Sequence, residues 1–395
     1  MSISNALLTL LQSERFQWTC ITAGLVENIL SILQRSYRFA SDDIPADEEA
    51  SLVQLRLKTN QALSDISASP IFTVEYPLSS SLTRTLLEWL EETSKDQLQI
   101  CACVVLGNIA REDGICEALV RDIEVHVRLV SVLNSDAKGG VLHAALGFLK
   151  NLAIAGDNRE SLGAVGVIKA LSRLWAFESI PQVQFLAVSL TRQVVASSSA
   201  NIGRLLEPLS PDPDSPANSR THLSLLLALF SKTDSSPIRT EIGRTVAAIS
   251  RSILRVDEKG VLSSEEAVLA HTLFALHEDV ARPVGAMITQ TEWPVVRSEG
   301  WFALALMASS KPGSEAAVDC IENMSVSGIL TDTVRMASSD KHDGEPAQAA
   351  TGELKRTKDR DNVLILIHGL LKHNVCYNSS HKSKYRFADG PMTAP

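Results

Sequence analysis

Apolar residues recur every three to four positions along most of the chain, which is the pattern of amphipathic α-helices. The segment 139–173 shows it most clearly. The apolar stripe of its first predicted helix consists of Leu142, Ala145, Leu146, Leu149, Leu152 and Ala153. A polar break at 156–159 follows, and Gly166 then permits a sharp turn before the next apolar segment. The pattern therefore predicts successive helices joined by short turns.

A five-residue pattern repeats within these helices. Leu-Gly-Asn-Ile-Ala around Asn108 returns as Leu-Lys-Asn-Leu-Ala around Asn151, 43 residues later. We call the third position of the pattern the repeat slot. The same frame fits Leu-Ser-Asp-Ile-Ser around Asp65, Leu-Thr-Arg-Gln-Val around Arg192 and, more weakly, Ile-Gly-Arg-Thr-Val around Arg244.

A period of about 40 to 47 residues is typical of armadillo and HEAT repeats, whose helices bury their apolar stripes only by stacking on neighbouring repeats. The sequence pattern of residues 139–173 is that of an armadillo repeat. We therefore predict an all-α fold, an armadillo-repeat right-handed superhelix (α-solenoid) of about seven to eight repeats.

The regularity of the repeats divides the chain into predicted segments. These are N-terminal capping helices over 1–50, regular armadillo repeats over 51–206, a Pro/Ser-rich insertion loop over 207–220, less regular repeats over 221–334, a disordered loop of acidic and basic residues over 335–360, a C-terminal helix over 361–376 and a disordered tail over 377–395.

Composition agrees with a helical protein, because aromatic residues make up only 5% and there are 20 glycines in 395 residues, which disfavours strand-rich folds. The net charge of −9 repels phosphate backbones and attracts basic partners, so we expect no nucleic-acid ligand. The six scattered cysteines are typical of a reducing compartment. No secretion signal or run of roughly 18 apolar residues occurs, which predicts a cytoplasmic protein without direct membrane insertion.

Signatures of catalysis are absent from the sequence: it contains no phosphate-binding Gly-rich loop, dinucleotide fingerprint, zinc-protease motif or nucleophile elbow. His271 and His277 lie six residues apart, about 120° around a helix, with no suitably spaced third ligand. No base or cation lies beside Cys101, which indicates a buried, inert thiol. We therefore expect that the protein is not an enzyme and that it has no catalytic residue, no cofactor and no metal site.

The repeat slots are the candidate partner-binding residues. We predict a partner-binding groove formed by Asp65, Asn108, Asn151, Arg192 and Arg244. An amide offers both a donor and an acceptor to an extended partner chain, and an arginine offers a cationic fork for a carboxylate or a carbonyl. Two alternatives stay open: each Asn bonds the backbone of the neighbouring repeat, and each Arg forms an ordinary ion pair between repeats.

One kind of armadillo groove is disfavoured by the residues one turn before the slots. Nuclear-import adaptors of the importin-alpha type place a Trp four residues before the Asn of each long helix, in order to bind basic peptides. Here those positions hold Val104 and Gly147. The sequence therefore argues against binding of basic nuclear-import signals.

Three stretches, 105–120, 146–154 and 241–250, together resemble the armadillo GDP-dissociation stimulators of small GTPases, the SmgGDS family. Arg192 also lies where that family places Arg instead of Asn. The likeness covers roughly residues 50 to 310 and suggests a fungal-type or otherwise divergent member.

The resemblance implies a non-catalytic exchange factor or chaperone. Its partner would be a small GTPase of the Rho or Ras type with a polybasic, prenylated tail. The GTPase would lie in the concave groove, its prenyl group would be a further ligand, and GDP release would follow. The alternative is a general armadillo scaffold for extended peptides.

Overall fold

Two compact units make up the chain, and each is described by itself: unit 1 comprises residues 1–276 and unit 2 residues 277–395. The computed structural model describes residues 9–39, 45–255, 262–336, 348–373 and 375. Within those ranges the secondary structure is helical, apart from one isolated antiparallel bridge between Pro208 and Thr221.

Unit 1 contains a long run of short and medium helices. They are α1 (Glu14–Thr22), α2 (Val26–Ser36), α3 (Ala46–Ser67), α4 (Phe72–Glu75), α5 (Ser81–Trp89), α6 (Asp96–Ile109), α7 (Asp113–Arg121), α8 (Val125–Asn134), α9 (Gly139–Leu152), α10 (Asn158–Ala164), α11 (Val167–Leu174), α12 (Pro181–Val195), α13 (Ser199–Leu205), α14 (His222–Lys232), α15 (Ser236–Ile253) and α16 (Ser264–Leu276). A 3₁₀ turn, Tyr37–Phe39, follows α2.

The longest helices of unit 1 pack side by side in chain order, α3 on α6, α6 on α9, α9 on α12 and α12 on α15. Each buries an apolar stripe against its neighbours. In α9 the predicted stripe from Leu142 to Leu152 is buried, and Phe148 packs across it against Gly107 of α6. Stacking of this kind supplies the apolar burial that a single repeat cannot provide alone.

Turn and cap residues define where these helices begin. Gly166 adopts φ 86° between α10 and α11, a left-handed conformation that glycine tolerates without strain. Pro181 and Pro237 occupy the first turns of α12 and α15, where no hydrogen-bonded N–H is required. Thr221 and Ser224 form a reciprocal capping box at the start of α14.

The Pro/Ser-rich segment 207–220 is a loop with its own hydrogen bonds. The backbone N–H of Leu209 donates to the carbonyl oxygen of Arg220 at 2.7 Å, and the Asn218 side chain donates to the carbonyl oxygen of Ser210 at 3.0 Å. Together with the bridge between Pro208 and Thr221, these bonds bring the two ends of the loop together.

Unit 2 contains α17 (Arg282–Thr289), α18 (Pro294–Met307), α19 (Lys311–Asn323), α20 (Val326–Met336) and α21 (Gln348–Lys372). Its main contact joins α18 to α21. Trp301, in the apolar centre of α18, is fully buried.

Helix α21 begins twelve residues before the end of the loop predicted over 335–360, which is the main difference from the predicted segments. Two polar residues of α21 on either side of the predicted boundary at 360, Asp359 and Asn362, are buried. A polar pattern does not reveal such burial. Residues 337–347 and the predicted tail 377–395 lie outside the described residues.

The length and hydropathy of the helices decide whether one of them could cross a membrane. Among the described residues, no single helix is long and apolar enough to cross a bilayer. The pair α1 and α2 reaches that length and hydropathy only jointly, and it is bent by 96°.

Candidate partner-binding site

The predicted slot residues lie on five long helices of unit 1 that follow one another in the stack. Asp65 is on α3, Asn108 on α6, Asn151 on α9, Arg192 on α12 and Arg244 on α15. Each of these side chains is half-buried. We call the surface that carries them the slot face.

The two asparagines join neighbouring repeats through their amide nitrogens. Nδ2 of Asn108 donates to the carbonyl oxygen of Ser64 at 3.1 Å and to Oγ of Ser67 at 2.9 Å. Nδ2 of Asn151 donates to the carbonyl oxygen of Gly107 at 2.8 Å. Because a carbonyl oxygen only accepts hydrogen bonds, the nitrogen and not the oxygen of each amide must face it. The amide nitrogens of both asparagines therefore bond the neighbouring repeat, as one of the two open alternatives predicted.

The amide oxygens point to a second use of the same side chains. Within the described ranges, neither Oδ1 of Asn108 nor Oδ1 of Asn151 accepts a hydrogen bond. Both side chains are half-buried, so the two oxygens remain acceptors for an N–H group of another molecule. One amide thus links repeats with its nitrogen and leaves its oxygen open.

Arg192 and Arg244 share one buried carboxylate. Nε of Arg192 donates to Oε2 of Glu241 at 2.7 Å, and Nη1 of Arg244 lies 3.4 Å from Oε1 of the same residue. The exposed fraction is 10% for the Glu241 side chain, against 24% for Arg192 and 31% for Arg244. The inter-repeat ion pair is therefore present between α12 and α15.

The outer end of Arg192 is oriented by this ion pair. Glu241 holds its Nε, whereas neither Nη1 nor Nη2 has a hydrogen-bond partner in the part of the chain that the structure describes. A guanidinium held in this way presents its two terminal nitrogens to a planar acceptor such as a carboxylate.

Arg244 lies further from the end of its helix than Asn108 and Asn151 do. Asn108 and Asn151 precede the last residue of their helices by one position, whereas Arg244 precedes the end of α15 by nine. A hydrogen bond of 3.0 Å from the Ser197 backbone N–H to Oγ of Ser252 aligns the ends of α12 and α15. Arg192 precedes the end of α12 by three residues, so Arg244 is not level with it, and the two side chains meet at Glu241.

Asp65 stands apart from the other slot residues. Its Oδ1 accepts a hydrogen bond of 2.8 Å from Nε2 of Gln61, one turn earlier in α3. Asn108 bonds Ser64 and Ser67 on either side of it, and not its carboxylate. Asp65 also lines a small cavity of about 110 Å³ between α3 and the residues before α1. Asp65 is therefore on the slot face without joining the hydrogen bonds between repeats.

Glu241 belongs to the candidate site, although the sequence pattern did not assign it. It belongs to the Glu-Ile-Gly-Arg stretch and precedes Arg244 by three residues, the spacing of helical neighbours. That spacing was the available signal. The contact with Arg192 spans 49 positions and is visible only in the folded chain.

The two cysteines of α6, Cys101 and Cys103, are buried. Burial raises the pKa of the Cys101 thiol and that of Cys103, the latter to about 12, which disfavours the reactive thiolate. In the described ranges, no group of three or more His, Cys, Asp or Glu side chains is arranged to hold a metal ion.

Two curated proteins that the chain resembles share one name. No protein-family model matches the chain. The chain is 30% identical over 210 residues to Rap1 GTPase-GDP dissociation stimulator 1-A of Xenopus laevis, a match that covers 51% of this chain and 33% of the relative. It is also 30% identical over 198 residues to stimulator 1-B of the same organism, covering 49% and 31%. The matches thus span about a third of the relatives' length.

Solved structures support the fold. An engineered protein from the Northeast Structural Genomics Consortium has a TM-score of 0.61 at 16% identity and covers 93% of this chain and 74% of its own. A designed armadillo repeat protein, solved in complex with the peptide (KR)4, has a TM-score of 0.51 at 18% identity and covers 74% and 100%. The predicted all-α armadillo architecture is confirmed. The chain is therefore an armadillo-type α-solenoid protein that is similar in sequence to the Rap1 GTPase-GDP dissociation stimulators.

Proposed function

We propose that this chain binds a small GTPase of the Rho or Ras type on the slot face and promotes release of its GDP. The observation that carries the proposal is the identity of 30% over 210 residues to a protein named as a GDP dissociation stimulator. The match spans a third of that relative, so the activity of this chain is proposed from the shared part together with the slot face.

The proposed mechanism is a difference of affinities. A protein that binds the nucleotide-free GTPase more tightly than the GDP-loaded form shifts the equilibrium toward release, by as much as the two affinities differ. The open amide oxygens of Asn108 and Asn151 and the terminal nitrogens of Arg192 are suited to hold a partner segment. No acid, base or metal from this chain is required.

The charge of the chain suggests how the partner approaches. A net charge of −9 attracts a polybasic tail over long range, and salt weakens that attraction. The terminal nitrogens of Arg192 are cationic, so the tail would bind away from them. Uptake of a prenyl group between apolar helices, and action in the cytoplasm, belong to the same proposal.

The decisive experiment is release of a fluorescent GDP analogue from a panel of Rho- and Ras-type GTPases, at low and physiological salt. We expect acceleration with GTPases that carry basic tails, and its reduction in the double variant Asn151→Ala with Arg192→Ala. A matched control is Asn28→Ala with Arg121→Ala, both exposed residues of unit 1. No acceleration and no nucleotide-dependent binding would refute the proposal.

The alternative function is a scaffold for extended peptides. The two open amide oxygens favour it, because they accept N–H groups from any extended chain. A scaffold would bind regardless of nucleotide state. It would also keep its affinity when Arg192 and Arg244 are neutralised while Asn108 and Asn151 remain.

A further inference from the structure

Gly147 lies in the middle of α9, where a glycine is unfavourable. The helix runs from Gly139 to Leu152, so Gly147 is far from both ends. Glycine is a poor helix former because its backbone loses the most conformational freedom on folding. A helix-interior glycine therefore calls for a packing or a functional reason.

Packing within the chain does not supply that reason. A Cβ built on Gly147 would have no heavy atom within 4 Å, leaving aside the helix's own backbone and its chain neighbours. By contrast, a Cβ on Gly107 would contact Phe148 at 3.5 Å, and one on Gly300 would lie 2.8 Å from Ile288. The backbone of Gly147 is also helical, unlike Gly166 with its positive φ. Nothing around Gly147 in the described structure excludes a side chain.

The open space at Gly147 lies on the slot face. Gly147 precedes Asn151 by four residues, so the two occupy the same side of α9. The bond from Asn151 to the carbonyl oxygen of Gly107 fixes the register between α9 and α6, which places Gly147 level with Val104, itself half-buried. The missing side chain therefore leaves open space on the side of α9 that carries Asn151.

We propose that Gly147 is the point where a bound partner approaches the slot face most closely, with a bulky apolar side chain of the partner lying over it against Val104. The inference rests on the proposed function in placing the partner on the slot face, and it adds the chemistry of the segment that binds there.

The occupant is an extended segment, as the neighbouring groups indicate. Oδ1 of Asn108 and Oδ1 of Asn151 are acceptors on adjacent repeats, and alternate main-chain N–H groups of an extended chain, which face the same side, are the matching donors. One repeat further, Nη1 and Nη2 of Arg192 match a carboxylate. The segment recognised is therefore a bulky apolar residue with an acidic residue at a fixed short distance from it.

The test uses the full chain and two substitutions at Gly147, Gly147→Ala and Gly147→Leu. Both variants should fold, because the added atoms enter open space, and Gly147→Ala should raise Tm by about 1 to 2 °C through its better helix propensity. The matched controls are Gly114→Ala and Gly114→Leu. Gly114 is an exposed residue of α7 whose Cβ would also have no heavy atom within 4 Å.

Two probes are used with these variants: nucleotide-free small GTPases, and a random peptide display library. For a probe that binds the wild type, we expect Gly147→Leu to weaken binding by at least about 10-fold and the Gly114 variants to leave it within about twofold. Peptides selected by the wild type should share an apolar residue and an acidic one, and selection by Gly147→Leu should lose that pair.

The outcomes separate this inference from the proposed function. If the peptides are selected as expected but no GTPase binds, the proposed function fails and the inference stands. If a GTPase binds equally to the wild type and Gly147→Leu, the function stands and the inference fails. A fall in Tm of Gly147→Ala, or no binding of either probe to the wild type, also overturns the inference.

Discussion

Asn151 donates a hydrogen bond of 2.8 Å from its side-chain nitrogen to the backbone carbonyl oxygen of Gly107, and so joins two successive repeats. Asn108 makes the equivalent bond to Ser64 one repeat earlier. The amide nitrogen of each proposed binding residue thus stabilises the stack of repeats. We therefore expect substitutions at these positions to affect stability as well as binding.

Asn151→Ala should lower the free energy of unfolding by about 1 kcal/mol, because the carbonyl oxygen of Gly107, a buried residue, loses its side-chain donor. Urea denaturation measures the effect, as a lower midpoint with an unchanged slope. Asn28→Ala, an exposed position of α2, should stay within about 0.5 kcal/mol of the wild type. Equal stability of Asn151→Ala and the wild type would contradict the structural role of the amide nitrogen.

Glu241→Gln should destabilise unit 1 by about 1 to 2 kcal/mol, since Arg192 and Arg244 would then face each other without their shared carboxylate. High salt should reduce the loss by screening the two cations. Denaturation at two salt concentrations tests both statements. Glu160→Gln, at an exposed position of α10, provides the control. A Glu241→Gln variant as stable as the wild type would show that the ion pair contributes nothing to the stack.

His126 should make stability fall at mildly acidic pH. Burial in the first turn of α8 lowers the pKa of His126 below its ordinary value of 6.5, although Glu124 opposes the shift. The unfolded chain therefore binds the proton more readily. The contribution of His126 is fully present above pH 6.5 and is lost as the pH falls below that value.

His126→Gln removes this titration, so its loss of stability between pH 8 and pH 5.5 should be smaller than that of the wild type. Thermal unfolding across that pH range is the measurement, with the difference at pH 8 as the baseline. Some dependence should remain, because burial also lowers the pKa of His222 and of His277. Identical pH profiles of the two proteins would count against the prediction.

Gly369→Ala should destabilise unit 2, because a Cβ at Gly369 would overlap the carbonyl oxygen of Ala308 and lie 2.8 Å from its Cβ. We expect a loss of about 1 to 3 kcal/mol and faster hydrogen exchange in α21. Gly328→Ala in α20, where a Cβ would have no heavy atom within 4 Å, should be neutral or stabilising. A stable Gly369→Ala variant would mean that α21 packs less closely on α18.

The regular repeats were predictable from sequence because each helix carries its own evidence. The stripe of α9 and the slots at Asn108 and Asn151 follow from helical spacing and from the 43-residue period. Local patterns of this kind do not depend on the rest of the chain. The burial of Asp359 and Asn362 in α21 was not predictable in the same way, since it depends on other helices of unit 2.

The arrangement of the candidate partner-binding residues was predictable in part. The sequence placed Asn108, Asn151 and Arg192 on adjacent repeats, and it left open whether they bond the chain or a partner. Only the folded chain shows that the amide nitrogen serves the stack while the oxygen stays open, and that Glu241 lies between two arginines. The sequence shows that Gly147 stands where importin-alpha-type adaptors place a Trp. The open space around Gly147 is visible only in the packed helices.

The loop between α13 and α14 is closed at its neck, where Pro208 pairs with Thr221 and Leu209 bonds Arg220. Its interior is thereby uncoupled from the distance between the two helices. Lengthening such a loop costs little, roughly 0.6 kcal/mol for each doubling of its length. The exposed turn around Asp212 to Asp214 is thus a place where an affinity tag or a fluorescent reporter can be grafted without disturbing the stack.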